Sequence, residues 1–370
     1  MITGEFGPSE SNFIEDIING MQDWVRVVSK DDTVLFVNKS MREGLGYDVV
    51  GRKCFEVLGL ESPCRNCISR LRGDNVPGCK EEMINGRIYS VTSSPLRSFQ
   101  SNHVEAVIEV LHDITELKKM SQELEKQNEQ LREDLSIARR LQCSLLPKQQ
   151  SLGDKISFSY VYKPCEMIGG DFLDIFEIDR EHVGIYIADV SGHGVAASML
   201  TMFLRAAVEK SLLSPSKVLT QLHHDFNRNG FEDELYISVF YGIINTSDLS
   251  ISYSNAGLNV SPILYSGRDF KLLRATGIPI SNWVDNPEYT EVTQKLKVND
   301  RLLFYTDGII EIKNLENEQF GEERIVEHLL KTDLKPSSTL SKLVDKAVSF
   351  SGRSIHDIMD DITVALLEIK

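Results

Sequence analysis

The sequence predicts an α/β protein: two folded parts, each mixing strands and helices, joined by one long helix. Three observations carry this expectation. At 370 residues the chain exceeds the size at which one hydrophobic core usually stops growing. Residues 115–146 contain neither Gly nor Pro and repeat apolar residues at heptad spacing, as a long helix does. On both sides of that stretch, short β-branched and aromatic runs alternate with turn residues, as strands do. The expected parts are a first domain at 1–115, a linker at 116–150 and a second domain at 151–370.

The first domain opens with WVRVVSKDDTVLFVN (24–38), two strand-like runs around the polar turn Lys30-Asp31-Asp32, which reads as a hairpin. A helix is expected at 39–45 and further strands in RIYSVTSS and VEAVIEVLHD, giving a small antiparallel sheet with a few helices. The hairpin ending on Asn38, the stretch GYDVVGRKCFEVLG and the terminal strand closing in DITE together resemble a PAS domain. That resemblance implies a sensor or dimerisation module.

Cys54, Cys64, Cys67 and Cys79 crowd into this domain, Cys64 and Cys67 as a CxxC pair, while Cys143 and Cys165 stand apart. Four thiolates could hold a metal tetrahedrally, a thiol pair could act as a redox sensor, or the cysteines could be plain structural residues. In the first two cases the cluster would be an input to the sensor.

In the linker, ELKKMSQELEKQNEQLREDLSIARRLQCSLLP, the residues Leu117, Leu124, Leu131, Leu135, Ala138 and Leu145 fit a and d positions of a heptad, and Asn128 an a position. The pattern reads as a parallel two-stranded coiled coil, and hence a homodimer, with the Asn fixing register and strand number. The alternative is a single amphipathic helix lying along one domain.

In the second domain ISFSYVY, DIFEI, VGIYIADV, LYISVFYGIIN, LSISYSNAG, RLLFYTDGI and ITVALLEI are strand-like, and VAASMLTMFLRAAVEKSLL is helical. Many short-connected strands with helices argue for an α/β sandwich of antiparallel sheets. Carboxylates stand where these strands end: Asp171 after Gly169-Gly170, Asp189 after VGIYIA, Asp307 after RLLFYT, and Asp360-Asp361 before ITVALLEI. Any single one could be a turn or cap residue bonding backbone N–H groups. Gathered at one sheet edge, they would repel each other unless cations neutralised them. Mg²⁺ or Mn²⁺ suits an all-oxygen set, and no convincing His/Cys set for zinc accompanies it. Two such ions about 3.5–4 Å apart can activate a water and hold a phosphoryl group, so the chemistry expected is phosphate-ester hydrolysis.

The succession IGGDF, ADVSGHGVAASML, NAGLN, LLFYTDGIIE with a following FGEERI, and DDITV resembles the SpoIIE/RsbU-type phosphatases, the bacterial branch of the PPM (type 2C) fold. The match runs from 139 to 369 and includes the entering segment ARRLQCSLLP. The resemblance implies a PPM-type α-β-β-α sandwich with two Mn²⁺ or Mg²⁺ ions. Carried over position by position, Asp189 would bridge both ions, Asp171 and the Val190 carbonyl would hold one, and Asp307 with Asp360 the other. Asp361 joins them as a further candidate, at a position where the type 2C pattern has Asn. Asp189 and Asp171 are the catalytic candidates, and Gly170, Gly192, His193 and Gly194 form the active-site turn. His193 receives no general-acid role, because its offset from Asp189 differs from that of the His in animal type 2C enzymes.

Leu258 and Val260 in NAGLNV replace a family His and Pro, and Leu173 in GGDFLD replaces a Tyr; neither change removes a ligand. The implied function is a PAS-regulated Ser/Thr phosphoprotein phosphatase whose substrate is a phosphorylated partner, a STAS-domain anti-anti-sigma factor. The competing reading is a signalling scaffold without turnover, which a loss of the Asp positions would have favoured.

Against 55 Asp and Glu stand 40 Lys and Arg, a net charge of −15, which argues against nucleic-acid binding. The opening MITGEFGPSESNFIED has neither a basic nor an apolar leader segment, and no run approaches the roughly 18 apolar residues of a membrane span. A cytoplasmic location, with no membrane partner, is expected.

Overall fold

The computed structural model describes residues 8–64, 67, 78–97, 104–148, 152, 155–192, 194–332, 335–354 and 360–370, of which 8–12 by backbone alone. The chain divides into two compact units, 1–130 and 131–370.

The first unit holds α1 (Pro8–Asn19), β1 (Trp24–Ser29), β2 (Val34–Val37), α2 (Lys39–Leu45), α3 (Cys54–Val57), β3 (Gly78–Ile84), β4 (Arg87–Arg97) and β5 (Val104–Asp113). The strands form one antiparallel sheet in the order β2-β1-β5-β4-β3. The expected hairpin pairs Val27 with Phe36, and Asp32 takes a positive φ of 66° in its turn. Asn38 then starts the helix. Its Oδ1 accepts from the Met41 N–H at 3.1 Å, capping α2, and from the Val25 N–H at 3.0 Å. Val28, Val34, Val37, Met41, Val91 and Leu111 close the core over it.

The linker segment is α4 (Thr115–Leu145), a continuous helix of 31 residues. At its start, Asp113 Oδ1 accepts from the Thr115 N–H at 2.9 Å, while Thr115 Oγ1 accepts from the Ile88 N–H of β4 at 2.8 Å. Leu117, Leu124 and Leu131 are exposed.

The second unit continues with β6 (Ile156–Lys163), β7 (Phe172–Glu177), β8 (His182–Val190), α5 (Gly194–Ala207), α6 (Pro215–Asn229), β9 (Ile237–Asn245), β10 (Ser250–Ala256), β11 (Ile263–Ser266), β12 (Asp269–Leu272), β13 (Val292–Lys295), β14 (Arg301–Tyr305), α7 (Asp307–Ile310), α8 (Gly321–Lys331), α9 (Pro336–Ser351) and β15 (Ile362–Ile369). Two antiparallel sheets, β13-β10-β9-β8-β7 and β12-β11-β14-β15-β6, pack face to face. Period-two alternation assigns the faces. On β8, Val183, Ile185 and Ile187 join the core shared with Phe304 and Leu366 of the other sheet, while Tyr186, Ala188 and Val190 join the core under α5 and α6. The helices α8 and α9 cover the opposite side. The helix expected at 195–213 ends early: α5 stops at Ala207, 208–213 is not helical, and Pro215 begins a separate helix, α6, at its first turn, where a missing N–H costs nothing. Among the described residues no helix is long and apolar enough to cross a membrane.

Candidate active site

The site forms where the strands of the two sheets end. Asp171 precedes β7, Asp189 lies near the end of β8, Asp307 opens α7 directly after β14, and Asp360 and Asp361 lead into β15. Their electrostatics show that they meet. Burial lifts the Asp171 carboxyl well above the ordinary carboxylate range, and Asp189 and Asp361 lift it further. Asp189 is pushed up to about 7, first by burial and then by Asp307, Asp360, Asp361 and Glu311. Asp360 is raised by burial, with Asp307, Asp361 and Glu311 adding to the lift. Among the described residues, the charged groups that most shift Asp189 and Asp360 are other carboxylates. Among the described residues no three His, Cys, Asp or Glu side chains converge as a closed metal cage; the carboxylates share electrostatic range rather than ligand contact.

Neutral groups hold individual members. Thr306 Oγ1 donates to Asp171 Oδ2 at 2.7 Å, and Asn259 Nδ2 donates to Asp307 Oδ2 at 2.9 Å. Asp361 is differently placed from the rest. Its Oδ1 accepts from the Cys165 N–H at 2.8 Å, and its Oδ2 from the N–H groups of Gly170 at 2.6 Å and Asp171 at 3.2 Å. Both oxygens of Asp361 are thus spent on the backbone that presents Asp171. A Cβ at Gly308 would run into the Asp361 carbonyl, and one at Gly169 into its carboxylate, so both glycines are needed for this close approach.

The Val190 carbonyl faces Gly170, 3.0 Å from where a Cβ there would sit. Gly192 and Gly194 take φ values of 82° and 76°; His193, between them, lies outside the described residues.

Three residues of the site escaped the reading of the sequence, Gln142 foremost. Gln142, near the end of α4, is 1% exposed. Its Nε2 donates to the Gly169 carbonyl at 2.7 Å and to Thr201 Oγ1 of α5 at 3.1 Å, and its Oε1 accepts from the Gly169 N–H at 3.2 Å and from the Tyr162 hydroxyl at 3.3 Å. One carboxamide therefore holds both backbone groups of Gly169, two residues before Asp171. The signal was a polar residue between Leu141 and Leu145 in ARRLQCSLLP. Asn259 and Glu311 were likewise inside quoted motifs without an assigned role.

Set against known proteins, residues 179–370, over half of the chain, match the profile of Stage II sporulation protein E. The chain belongs to the SpoIIE family. Residues 22–116 match a PAS domain. The phosphoserine phosphatase RsbP of Bacillus subtilis (strain 168) is 31% identical to this SpoIIE-family chain over 187 residues, 48% of the chain and 45% of RsbP. RsbU, a phosphoserine phosphatase of the same organism, is 24% identical over 249 residues, 65% of the chain and 72% of RsbU. The matched segment thus spans less than half of RsbP. The SiaA-PP2C domain of Pseudomonas aeruginosa superposes with a TM-score of 0.59 at 20% identity, covering 66% of this chain and 98% of that one, which shows a PP2C-type fold.

Proposed function

We propose that this SpoIIE-family chain is a metal-dependent protein phosphatase that hydrolyses phosphoserine or phosphothreonine on a partner protein under control of its PAS domain. The observation that carries the proposal is the carboxylate cluster: Asp171, Asp189 and Asp360 are raised first by burial and then by one another and their acidic neighbours. An all-oxygen, self-repelling set of this kind fits hard divalent cations. Asp171, Asp189, the Val190 carbonyl, Asp307 and Asp360 would hold two Mn²⁺ or Mg²⁺ ions, which when bound supply Lewis-acid activation of water and neutralise phosphoryl charge. The protein's own part is positioning. Thr306 and Asn259 each hold one carboxylate oxygen, Oδ2 of Asp171 and Oδ2 of Asp307, and Asp361 with Gln142 fixes the loop from Gly169 to Asp171. Asp361 is better read as this organiser than as a ligand.

Family likeness supports, as the substrate, a phosphorylated STAS-domain anti-anti-sigma factor, met in the cytoplasm. The domains are read as sensor 1–115, linker 116–150 and phosphatase 151–370. The exposed Leu117, Leu124 and Leu131, with Asn128 in the same heptad, support a homodimer through α4.

The test is Mn²⁺- or Mg²⁺-dependent release of phosphate from a phosphoserine protein by the full chain, beside D189A and D307A. A Lewis-acid contribution of several kcal/mol predicts that each variant loses roughly 10²–10⁴-fold in rate. No turnover by the wild-type chain with either ion would leave the scaffold reading in its place.

A further inference from the structure

The cysteines of the first unit have no part in the phosphatase reading, and the structure sorts them. Cys79 and Lys80 are neighbours on β3, so their side chains leave opposite faces of the sheet. Cys79 is exposed, with Ser90 Oγ 3.7 Å away, whereas Lys80 Nζ lies 3.6 Å from Cys64 Sγ. Cys67 is buried and close enough to Cys64 to shift its thiol. Cys54 is buried nearby, and burial pushes its thiol up to about 11. The four-thiolate metal site considered from the sequence is therefore not assembled: Cys79 faces away, and no metal-holding group of three forms among the described residues.

What Cys64 does touch is the end of a buried run of charges. Lys80 is ion-paired to Glu82, Glu82 to Arg26 at 3.1 Å, and Arg26 to Glu109 at 2.5 Å. Arg26 and Glu109 are each 1% exposed and face each other across β1 and β5, and β5 leads directly into α4. Among the described residues, Arg26 Nη1 in this run has no hydrogen-bond partner. A change of charge at the Cys64 end is felt along it in a region where water does not screen.

We propose that Cys64 and Cys67 form a peroxide-responsive dithiol whose oxidation is relayed by Lys80, Glu82, Arg26 and Glu109 to β5 and the linker helix. The Cys64 thiolate, paired with the Lys80 ammonium, attacks one oxygen of hydrogen peroxide; the O–O bond breaks and the departing hydroxide is protonated to water. The Cys67 thiolate then attacks the sulfenic sulfur, forming the S–S bond and releasing the second oxygen as water. Two thiols are oxidised and one peroxide is reduced to two waters. The disulfide is uncharged and a poor acceptor, so Lys80 is left to Glu82 alone. Burial raises the Cys64 thiol and Lys80 offsets part of that lift, so the reaction accelerates as pH rises above neutral.

The experiment treats the full chain with hydrogen peroxide, alkylates the remaining thiols and maps the six cysteines by peptide mass. The expected result is one intramolecular Cys64–Cys67 disulfide, reversed by dithiothreitol, formed before Cys143 is consumed. K80M should form it roughly tenfold more slowly at neutral pH, the effect of one pKa unit on thiolate population. Amide exchange in 104–120 should differ between the reduced and oxidised chain. Oxidation of Cys143 ahead of the pair, a disulfide through Cys54 or Cys79, a stoichiometric metal ion released from the untreated thiols, or unchanged exchange in 104–120 would each overturn the proposal. None of these readouts depends on phosphatase turnover.

Discussion

Replacing Gln142 with Ala tests whether the end of the linker helix holds the loop that presents Asp171. The substitution removes all four hydrogen bonds of the carboxamide and leaves the Gly169 N–H and C=O without their side-chain partner in a site where Gln142 itself is 1% exposed. A buried backbone group left unpaired costs about 1–3 kcal/mol, so two of them cost about 2–6 kcal/mol. At about 2–4 °C per kcal/mol for a unit of this size, the melting midpoint of the second unit should fall by roughly 5–20 °C. The functional effect is separate. Asp171 is two residues from Gly169, and a misplacement of about 1 Å near reacting groups costs roughly 100-fold in rate. Q142A should therefore need more Mn²⁺ for half-maximal activity and show a lower kcat at saturation, while Q142E, which keeps the size and an acceptor, should fall between. Calorimetry and metal-titrated turnover on one preparation separate the two effects. A Q142A chain that melts lower yet keeps wild-type metal dependence and kcat would refute the coupling and reduce Gln142 to a packing residue.

The raised Asp189 gives the metal-free chain an unusual pH profile. Unfolded, an Asp titrates near 3.9, and folded this one titrates near 7, so the folded state holds the extra proton between those values and its stability falls as pH rises through that window. Urea melts of the metal-free chain at pH 5 and pH 8 should show the drop, and added Mg²⁺ should reverse it at pH 8. G308A should perturb the site without touching a carboxylate, because its Cβ collides with the Asp361 carbonyl; activity should fall by at least tenfold, read beside the melting curve. L124K with L131K should convert the proposed α4 dimer to monomer in sedimentation, since both positions are exposed and apolar.

How much of this was legible depended on whether a residue's role is local. The hairpin at 24–38 and the helix after Asn38 could be read because turn, alternation and cap are all encoded within a few residues, and each of the five strand-end carboxylates sits where its motif put it. The break between α5 and α6 was missed because the apolar run VAASMLTMFLRAAVEKSLL keeps helical composition past Ala207; only Pro215 signals the restart. The backbone contacts of Asp361 were hidden for a different reason. Its partners are N–H groups at 165, 170 and 171, almost two hundred residues away in sequence, and backbone donors leave no mark in composition. The same holds for Gln142 and for Cys64, whose partner Lys80 is identified only once β3 fixes which face it takes.

Both ends of α4 are therefore tied to structure rather than free. Thr115 is bonded to Ile88 of β4 at one end, and Gln142 to Gly169 at the other. Between them the exposed face carries the heptad of Leu117, Leu124 and Leu131. A helix advances about 100° per residue, so an insertion changes the angle between its ends by an amount known in advance, without altering any contact at either end. Seven residues inserted after Gln127 return the face to within about 20° and extend the coiled coil by one heptad. Two residues turn it by about 200° and break the seam. If register carries the signal from the PAS unit, the seven-residue insertion should keep both dimer and regulated phosphatase activity, and the two-residue insertion should lose regulation while each unit still melts as before. Equal behaviour of the two would mean that α4 acts as a tether, and control of the Gly169–Asp171 loop would then have to reach it by another path.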